Sequence, residues 1–179
     1  MNILNYKENR SIKKDVVQLF KSAFPSNERP PVSMFLKSSL MEGSDLLAFY
    51  KENAFIGFTQ LTYHNDVIYI YFLAVVDQQR NKGYGSQILK SVFALYPHYR
   101  FILCYEEIDD SYPDNEMRKR RRDFYYRNGF KDNELKVNEF GVRYDTVYYG
   151  KDKVKFEEYL DVFISNFGEF VIKHIKKLN

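Results

Sequence analysis

The sequence lacks the residues and patterns that define several large classes of protein. Its 179 residues include one cysteine, Cys104, and no tryptophan. One cysteine cannot form an intramolecular disulfide or supply a cysteine-based zinc site, which excludes a disulfide-stapled scaffold and a zinc finger. The histidines show no metal spacing, so we expect no metal. Repeats and glycine-, serine- or proline-rich linkers are absent, which predicts one domain over residues 1–179.

Long hydrophobic runs and a strong net charge are also missing. No apolar run reaches the ~18–20 residues that span a bilayer, and the N-terminus has no signal-peptide pattern. We therefore expect a cytoplasmic protein without stable membrane association. The net charge is +3, from 27 basic and 24 acidic residues, so bulk charge does not indicate nucleic acid. Aromatic side chains are abundant: 16 Tyr and 16 Phe supply large apolar area for a core.

Hydrophobic periodicity predicts an α/β domain with the order α-α-β-β-β-α-β-α-β-β-α. The predicted strands are 46–51, 54–64, 67–76, 101–105, 130–137 and 144–149. The first predicted helix has Ser11 as its N-cap, and the second begins near Pro30–Pro31. Further helices are predicted over 83–96, 115–128 and a tail of about 153–179, in which Gly168 is a candidate interruption. Turns are expected at Glu52–Asn53 and Phe140–Gly141.

The segment from Asp77 to Ser86 joins a buried strand to an amphipathic helix and has the features of an anion-binding site. Gly83 and Gly85 permit a sharp turn and close backbone approach, and the first N–H groups of the helix point outward. Arg80 and Lys82 add positive charge to the helix dipole. A Walker A loop and a dinucleotide fingerprint both need glycines that are absent here. The alternative is a helix end that happens to be basic and glycine-rich.

This segment and the strand before it resemble the GNAT acetyltransferase family. Arg80-Asn81-Lys82-Gly83-Tyr84-Gly85 is similar to the family motif R/Q-x-x-G-x-G/A, and Phe72-Leu73-Ala74-Val75 resembles its central strand. The resemblance implies that strand backbone groups pair with the pantetheine arm of acetyl-CoA, at Leu73, Ala74 and Val75. It also implies that loop amides hold the pyrophosphate, at Arg80, Asn81, Lys82, Gly83, Tyr84, Gly85 and Ser86.

A second motif lies one strand and one helix later. Phe124-Tyr125-Tyr126-Arg127-Asn128-Gly129-Phe130 resembles the family signature F/L-Y-x-x-x-G-F. The two matches imply a mixed, mostly antiparallel sheet flanked by helices, here with a C-terminal helical extension. They imply an acetyl-CoA-dependent N-acetyltransferase in which the amine of a small molecule or peptide attacks directly in a ternary complex. The alternative is a non-catalytic acetyl-CoA-binding or interaction module of the same fold.

The resemblance also suggests catalytic residues. Tyr125 would act as general acid toward the leaving thiolate, against the alternative that it only packs between helix and sheet. Glu106 is the first candidate for the base, with Glu107 and Glu28 as competitors, and each could equally be a surface carboxylate. A backbone N–H near Val75 would stabilise the oxyanion.

The fourth predicted helix departs from the family pattern. Arg118 and Arg121 occupy positions where the family often has Asn and Ala, within the basic run 118–122. Both share a helix face with Tyr125, so they could reach the 3′-phosphate or pantetheine of CoA. The alternative is a solvated face paired with the six acids of Glu106–Glu116, and that acidity argues against a nucleic-acid partner. The acceptor amine is left open, and a homodimer is considered because it is the commonest assembly.

Overall fold

The computed structural model describes residues 1–26 and 29–178. Within them, the α-helices are α1 (Lys13–Ala23), α2 (Val32–Ser38), α3 (Tyr84–Leu95), α4 (Asn115–Arg127) and α5 (Phe156–Phe167). The strands are β1 (Asn2–Asn5), β2 (Ser44–Lys51), β3 (Ala54–His64), β4 (Val67–Val75), β5 (Arg100–Glu106), β6 (Lys131–Glu139), β7 (Val142–Tyr149) and β8 (Ile175–Leu178).

The fold is the predicted one: a mixed, mostly antiparallel sheet with flanking helices. The strand order is β1-β2-β3-β4-β5-β7-β6-β8. The parallel pair is β4 with β5, over Val67–Tyr69 and Arg100–Ile102. The chain divides into two compact units, the first made of 1–62 and 70–97 and the second of 63–69 and the residues from 98 onward. The single acetyltransferase domain over 1–179 stays a prediction.

Aromatic side chains form the core of the first unit. Helix α1 buries Val16, Leu19 and Phe20 at helical spacing against the sheet. The ring of Phe20 stacks on Phe35 of α2, with 4.0 Å between centroids, and meets Phe72 of β4 edge-on at 5.1 Å. Fully burying one such side chain contributes about 1.5–3 kcal/mol to stability. The phenylalanines counted in the sequence thus fix α1 and α2 on β4.

The strand β4 is held very close to β3 at its C-terminal half. A Cβ added to Gly57 of β3 would lie 2.2 Å from the carbonyl oxygen of Ala74. Thr59 Oγ1 donates to the carbonyl of Phe72 at 2.8 Å, and the N–H of Val76 donates to the carbonyl of Ile56 at 2.9 Å. Only glycine permits this approach, so position 57 sets how closely β4 packs against β3.

A buried carboxyl ties the second unit together. Glu139 of β6 accepts hydrogen bonds at Oε1 from the Tyr159 hydroxyl, from the Tyr69 hydroxyl at 3.2 Å and from the Cys104 thiol at 3.1 Å. Burial raises the pKa of Glu139, and these hydrogen bonds offset only part of that effect. Burial also raises the pKa of the Cys104 thiol, which keeps it protonated and unreactive.

The two ends of the chain differ from the prediction. The tail is helical over Phe156–Phe167 and ends at the candidate interruption, Gly168, which has φ 83°. Ile175–Leu178 does not continue it but forms β8, because its backbone completes the exposed edge of β6. At the other end, β1 pairs with β2 and was not predicted. Within the described residues, no helix has the length and apolar character needed to cross a bilayer.

Candidate functional site

The loop between β4 and α3 has an open helix N-terminus. Gly83 caps α3 at φ 78° and ψ 3°, a left-handed conformation, and a Cβ added there would meet nothing within 4 Å. The first N–H with an intrahelical acceptor is that of Gln87, which donates to the Gly83 carbonyl at 3.1 Å. No side chain caps α3 and its first turn holds no acid. The preceding N–H groups therefore point outward at the positive end of the helix.

Three cations lie on or next to this loop in the first unit: Arg80, Lys51 and Lys82, whose Nζ donates to Gln79 Oε1 at 3.3 Å. Arg80 Nε donates to the Val75 carbonyl at 3.3 Å, and its guanidinium pairs with Asp77 at 2.8 Å. Both members of that ion pair are largely exposed, so it contributes little and can open for a ligand. Lys51 Nζ lies 3.5 Å from the Tyr84 hydroxyl and 5.6 Å from its ring centre. No sequence pattern indicates a role for Lys51, because only folding brings the end of β2 close to Tyr84 of α3.

In the second unit, three of the predicted residues lie together. Glu106 is the last residue of β5, and its Oε2 accepts an ion-paired hydrogen bond from Arg121 of α4. Tyr125 follows Arg121 by one helical turn and is half-buried. Burial raises the pKa of Tyr125 to about 12, although the charge of Arg121 acts in the opposite direction. The Tyr125 phenol is therefore protonated at neutral pH and available as a hydrogen-bond donor.

Glu107 has a different environment from Glu106. Its two carboxylate oxygens accept from the Arg143 guanidinium, at 2.8 and 3.2 Å, and Lys136 Nζ lies 3.7 Å away. These hydrogen bonds from Arg143 lower the pKa of Glu107. A carboxylate held in this way by a bidentate guanidinium is a poor proton acceptor. Glu28, the third candidate base, lies outside the described residues.

Arg118 braces the acidic loop before α4. Its Nε donates to Asp114 at 3.0 Å and its Nη1 to the Glu107 carbonyl at 2.9 Å, while its guanidinium lies 4.0 Å from the ring centre of Tyr112. Lys119 next to it pairs with Asp110 and Glu116. Much of the basic run is thus paired with neighbouring acids, and contact between Arg118 and CoA stays a prediction.

The motif Phe124–Phe130 ends α4 with a left-handed glycine, as predicted. Gly129 has φ 88°, its N–H donates to the Tyr126 carbonyl at 3.0 Å, and the Phe130 N–H donates to the Tyr125 carbonyl at 3.2 Å. Phe130 is buried, and its ring lies 5.8 Å from that of Tyr125 and 5.8 Å from that of Tyr149. The αL glycine and the buried phenylalanine therefore fix the position of the Tyr125 ring.

Comparison with known proteins assigns the family. The model of the acetyltransferase (GNAT) domain matches residues 42–132, just over half of the chain. This stretch contains both glycine motifs, with Arg80–Gly85 in the first and Phe124–Phe130 in the second. The chain belongs to the GNAT acetyltransferase family. No curated protein sequence matches it significantly.

Solved structures with the same fold include acetyltransferases with CoA bound. A putative GNAT acetyltransferase from Bacteroides thetaiotaomicron has a TM-score of 0.73 at 18% identity, over 94% of this chain and 99% of its own. An aminoglycoside 6′-N-acetyltransferase complexed with coenzyme A scores 0.65 at 14% identity, over 83% and 96%. A GNAT acetyltransferase from Elizabethkingia anophelis with acetyl-CoA bound scores 0.58 at 14% identity, over 84% and 97%. At these identities the likeness concerns the fold.

Proposed function

We propose that this protein is an acetyl-CoA-dependent N-acetyltransferase that acts by direct attack of an amine in a ternary complex. The observation that carries the proposal is the uncapped, acid-free N-terminus of α3, which begins at the left-handed Gly83 within the family motif. Its outward N–H groups match the needs of a pyrophosphate, and Arg80, Lys82 and Lys51 supply matching charge.

The backbone of β4 offers a partner for the pantetheine arm. The carbonyl of Phe72 and the N–H of Val76 are directed at β3, and Ala74 faces Gly57. Because backbone groups alternate along a strand, those of Leu73 and Val75 are directed away from β3. Leu73 is therefore better suited than Ala74 to pair with the pantetheine amides, and Val75 offers its N–H, because Arg80 Nε already donates to the Val75 carbonyl. The Val75 N–H is the candidate donor to the oxyanion.

Acetyl-CoA, when bound, supplies an acetyl group activated as a thioester. Glu106 accepts a proton from the acceptor amine, directly or through water, and uses Oε1 while Arg121 holds Oε2. As the amine nitrogen bonds to the acetyl carbon and the carbon–sulfur bond breaks, Tyr125 donates its phenolic proton to the departing sulfur. Proton exchange with solvent then restores Tyr125 and Glu106. Arg143 occupies both carboxylate oxygens of Glu107, whereas Arg121 occupies only Oε2 of Glu106, and this difference favours Glu106 as the base.

The acceptor class is an amine of a small molecule or peptide. An aminoglycoside 6′-N-acetyltransferase among the structural neighbours is in keeping with this class. We further propose a cytoplasmic location. Assembly as a homodimer stays a prediction, as does contact of Arg118 and Arg121 with the cofactor.

The proposal is tested by turnover with a panel of amines. Purified protein is incubated with acetyl-CoA and an aminoglycoside, a polyamine or a peptide with a free N-terminus, and free thiol is measured. The expected result is amine-dependent thiol release that Tyr125→Phe lowers strongly. If acetyl-CoA binds but no amine in a broad panel supports turnover, the protein is a non-catalytic module of the same fold.

A further inference from the structure

A shallow cavity of about 420 Å³ lies in the second unit, beside the β6–β7 turn and the C-terminal segment. The proposed acetyl transfer does not use it. The residues that line it are Asn138, Phe140, Gly141, Lys173, His174, Lys176 and Leu178. None of them is acidic. Two are lysines and a third is a histidine, so the lining is rich in hydrogen-bond donors for an anion.

Strand register explains why these side chains converge. Asn138 of β6 lies directly opposite Lys176 of β8, so both project from the same face of the sheet. The Asn138 Oδ1 accepts from the Gly141 N–H at 3.0 Å. The carboxamide NH₂ of Asn138 is therefore the group left to meet a ligand, next to the Lys176 ammonium.

An aromatic pair forms the apolar part of the cavity. The rings of Phe140 and His174 stack with 5.1 Å between centroids and 13° between planes. The Phe140 N–H also donates to the His174 carbonyl at 2.8 Å, which fixes the turn on the C-terminal segment. Phe140 is nevertheless 55% exposed. A ring-bearing ligand would cover the exposed part of the Phe140 ring.

The lysines that line the cavity differ in charge pairing from the neighbouring sheet surface. On the same face of β6 and β7, Arg143 pairs with Glu107 and Lys136 pairs with Asp145. Across the residues that the structure describes, no ion pair engages Lys173 or Lys176. An anion in the cavity could therefore bind both ammonium groups without displacing a carboxylate of the described residues.

We infer that this cavity binds an anion that carries a phosphate monoester, with its apolar part on the Phe140–His174 stack. Lys173 and Lys176 would bind the phosphate oxygens, and the Asn138 carboxamide would add a neutral donor. The same chemistry occurs in a free phosphorylated metabolite and in a phosphatidic-acid headgroup. The inference does not rest on the acetyltransferase reaction.

The test uses phenyl phosphate as the soluble probe and vesicles of phosphatidylcholine with phosphatidic acid as the lipid probe. Saturating dephospho-CoA is present throughout, so that the α3 N-terminus is occupied by a ligand that has the pyrophosphate of CoA but not its 3′-phosphate monoester. Wild-type protein is compared with the double variant Lys173→Ser/Lys176→Ser. The matched control is Lys131→Ser/Lys151→Ser, which removes the same charge from two exposed lysines of the same unit.

We expect wild type and control to bind at least one probe and the Lys173/Lys176 variant to bind it at least tenfold more weakly. Binding of phenyl phosphate alone identifies a free phosphorylated ligand, whereas binding of the vesicles identifies a lipid headgroup. Phe140→Ala should weaken phenyl phosphate more than inorganic phosphate. The inference is overturned if neither probe binds, or if the Lys173/Lys176 variant binds as well as the control.

Discussion

Tyr125 is the residue to which the proposed chemistry assigns the most specific task. Replacing it with Phe removes one hydroxyl and leaves the ring packed on Phe130. We expect kcat to fall by about 10²–10⁴-fold, the usual contribution of a general acid, while the Kd for acetyl-CoA stays unchanged. The exposed neighbour is the control: Tyr126→Phe should retain activity. Normal turnover by Tyr125→Phe would show that Tyr125 only packs.

The pKa of Tyr125 also predicts a pH dependence. Burial raises it to about 12, so the phenol loses its proton only as the pH approaches that value. Deprotonation of Tyr125 therefore causes no alkaline fall in kcat between about pH 6 and 9. A pH profile of kcat checks this. An alkaline fall in that range that Tyr125→Phe abolishes would contradict the raised pKa.

Glu106 and Glu107 form a matched pair for testing the base. Glu106→Gln should lower kcat at least tenfold, because a carboxamide cannot accept the amine proton. Glu107→Gln should leave kcat nearly unchanged, because its carboxylate is occupied by Arg143. Steady-state turnover at saturating acetyl-CoA measures both. If only Glu107→Gln lowered kcat, the base would be Glu107. If both variants were fully active, neither carboxylate would be the base.

At the scale of elements, the close approach of β3 to β4 makes a stability prediction. Gly57→Ala places a Cβ against the carbonyl oxygen of Ala74, and backbone cannot give way cheaply. We expect a loss of about 1–3 kcal/mol in the free energy of unfolding, measured with urea. Acetyl-CoA should also bind more weakly, because Leu73 and Val75 shift with β4. Wild-type stability in Gly57→Ala would contradict this account of β4.

At the turn into α3, a glycine substitution should cost less stability than Gly57→Ala but should affect cofactor binding. At Gly83 a Cβ has open space, so Gly83→Ala costs only the strain of φ 78°, about 1 kcal/mol. Gly141, in the β6–β7 turn, has φ 95° and equally open space. Both alanine variants should therefore lose similar stability by urea unfolding. In calorimetric titrations, Gly83→Ala should bind acetyl-CoA more weakly than Gly141→Ala does. Equal affinities of the two variants for acetyl-CoA would mean that the loop before α3 does not hold the cofactor.

Local patterns predicted most elements, because their signals lie within the elements themselves. Helix α4 was expected over 115–128 and runs over Asn115–Arg127, since Gly129 supplies its own stop. The strand β8 was missed because Ile-Lys-Lys-Leu becomes extended only through pairing with β6. At its start, α1 is preceded by a 3₁₀ turn that Asn9 caps, so the expected N-cap role of Ser11 was wrong.

The candidate site was only partly predictable for the same reason. The loop Arg80–Gly85 and the end of α4 carry contiguous motifs that the sequence displays. The ion pair of Glu106 with Arg121, and the contact of Lys51 with Tyr84, join segments that are distant along the chain. Such contacts depend on how strands and helices pack, and no local pattern encodes them.

At the scale of the molecule, Glu139 gives stability a pH dependence. Its pKa is raised in the folded state, so its contribution to stability is fully present below the unfolded pKa of about 4.3. That contribution is lost as the pH rises through the raised native value. Across this interval the free energy of unfolding should fall more in the wild type than in Glu139→Gln. Glu157→Gln, at an exposed position, should keep the wild-type slope, and equal slopes in all three would contradict the assignment.

Binding of acetyl-CoA is the property on which the whole account depends, and a calorimetric titration measures it directly. The purified protein is titrated with acetyl-CoA, with desulfo-CoA and ATP as comparisons. The account predicts stoichiometric binding of acetyl-CoA and desulfo-CoA, weaker binding in Gly83→Ala and none of comparable strength for ATP. No binding of acetyl-CoA, or equal binding of ATP, would contradict the assignment of the α3 N-terminus as the pyrophosphate site.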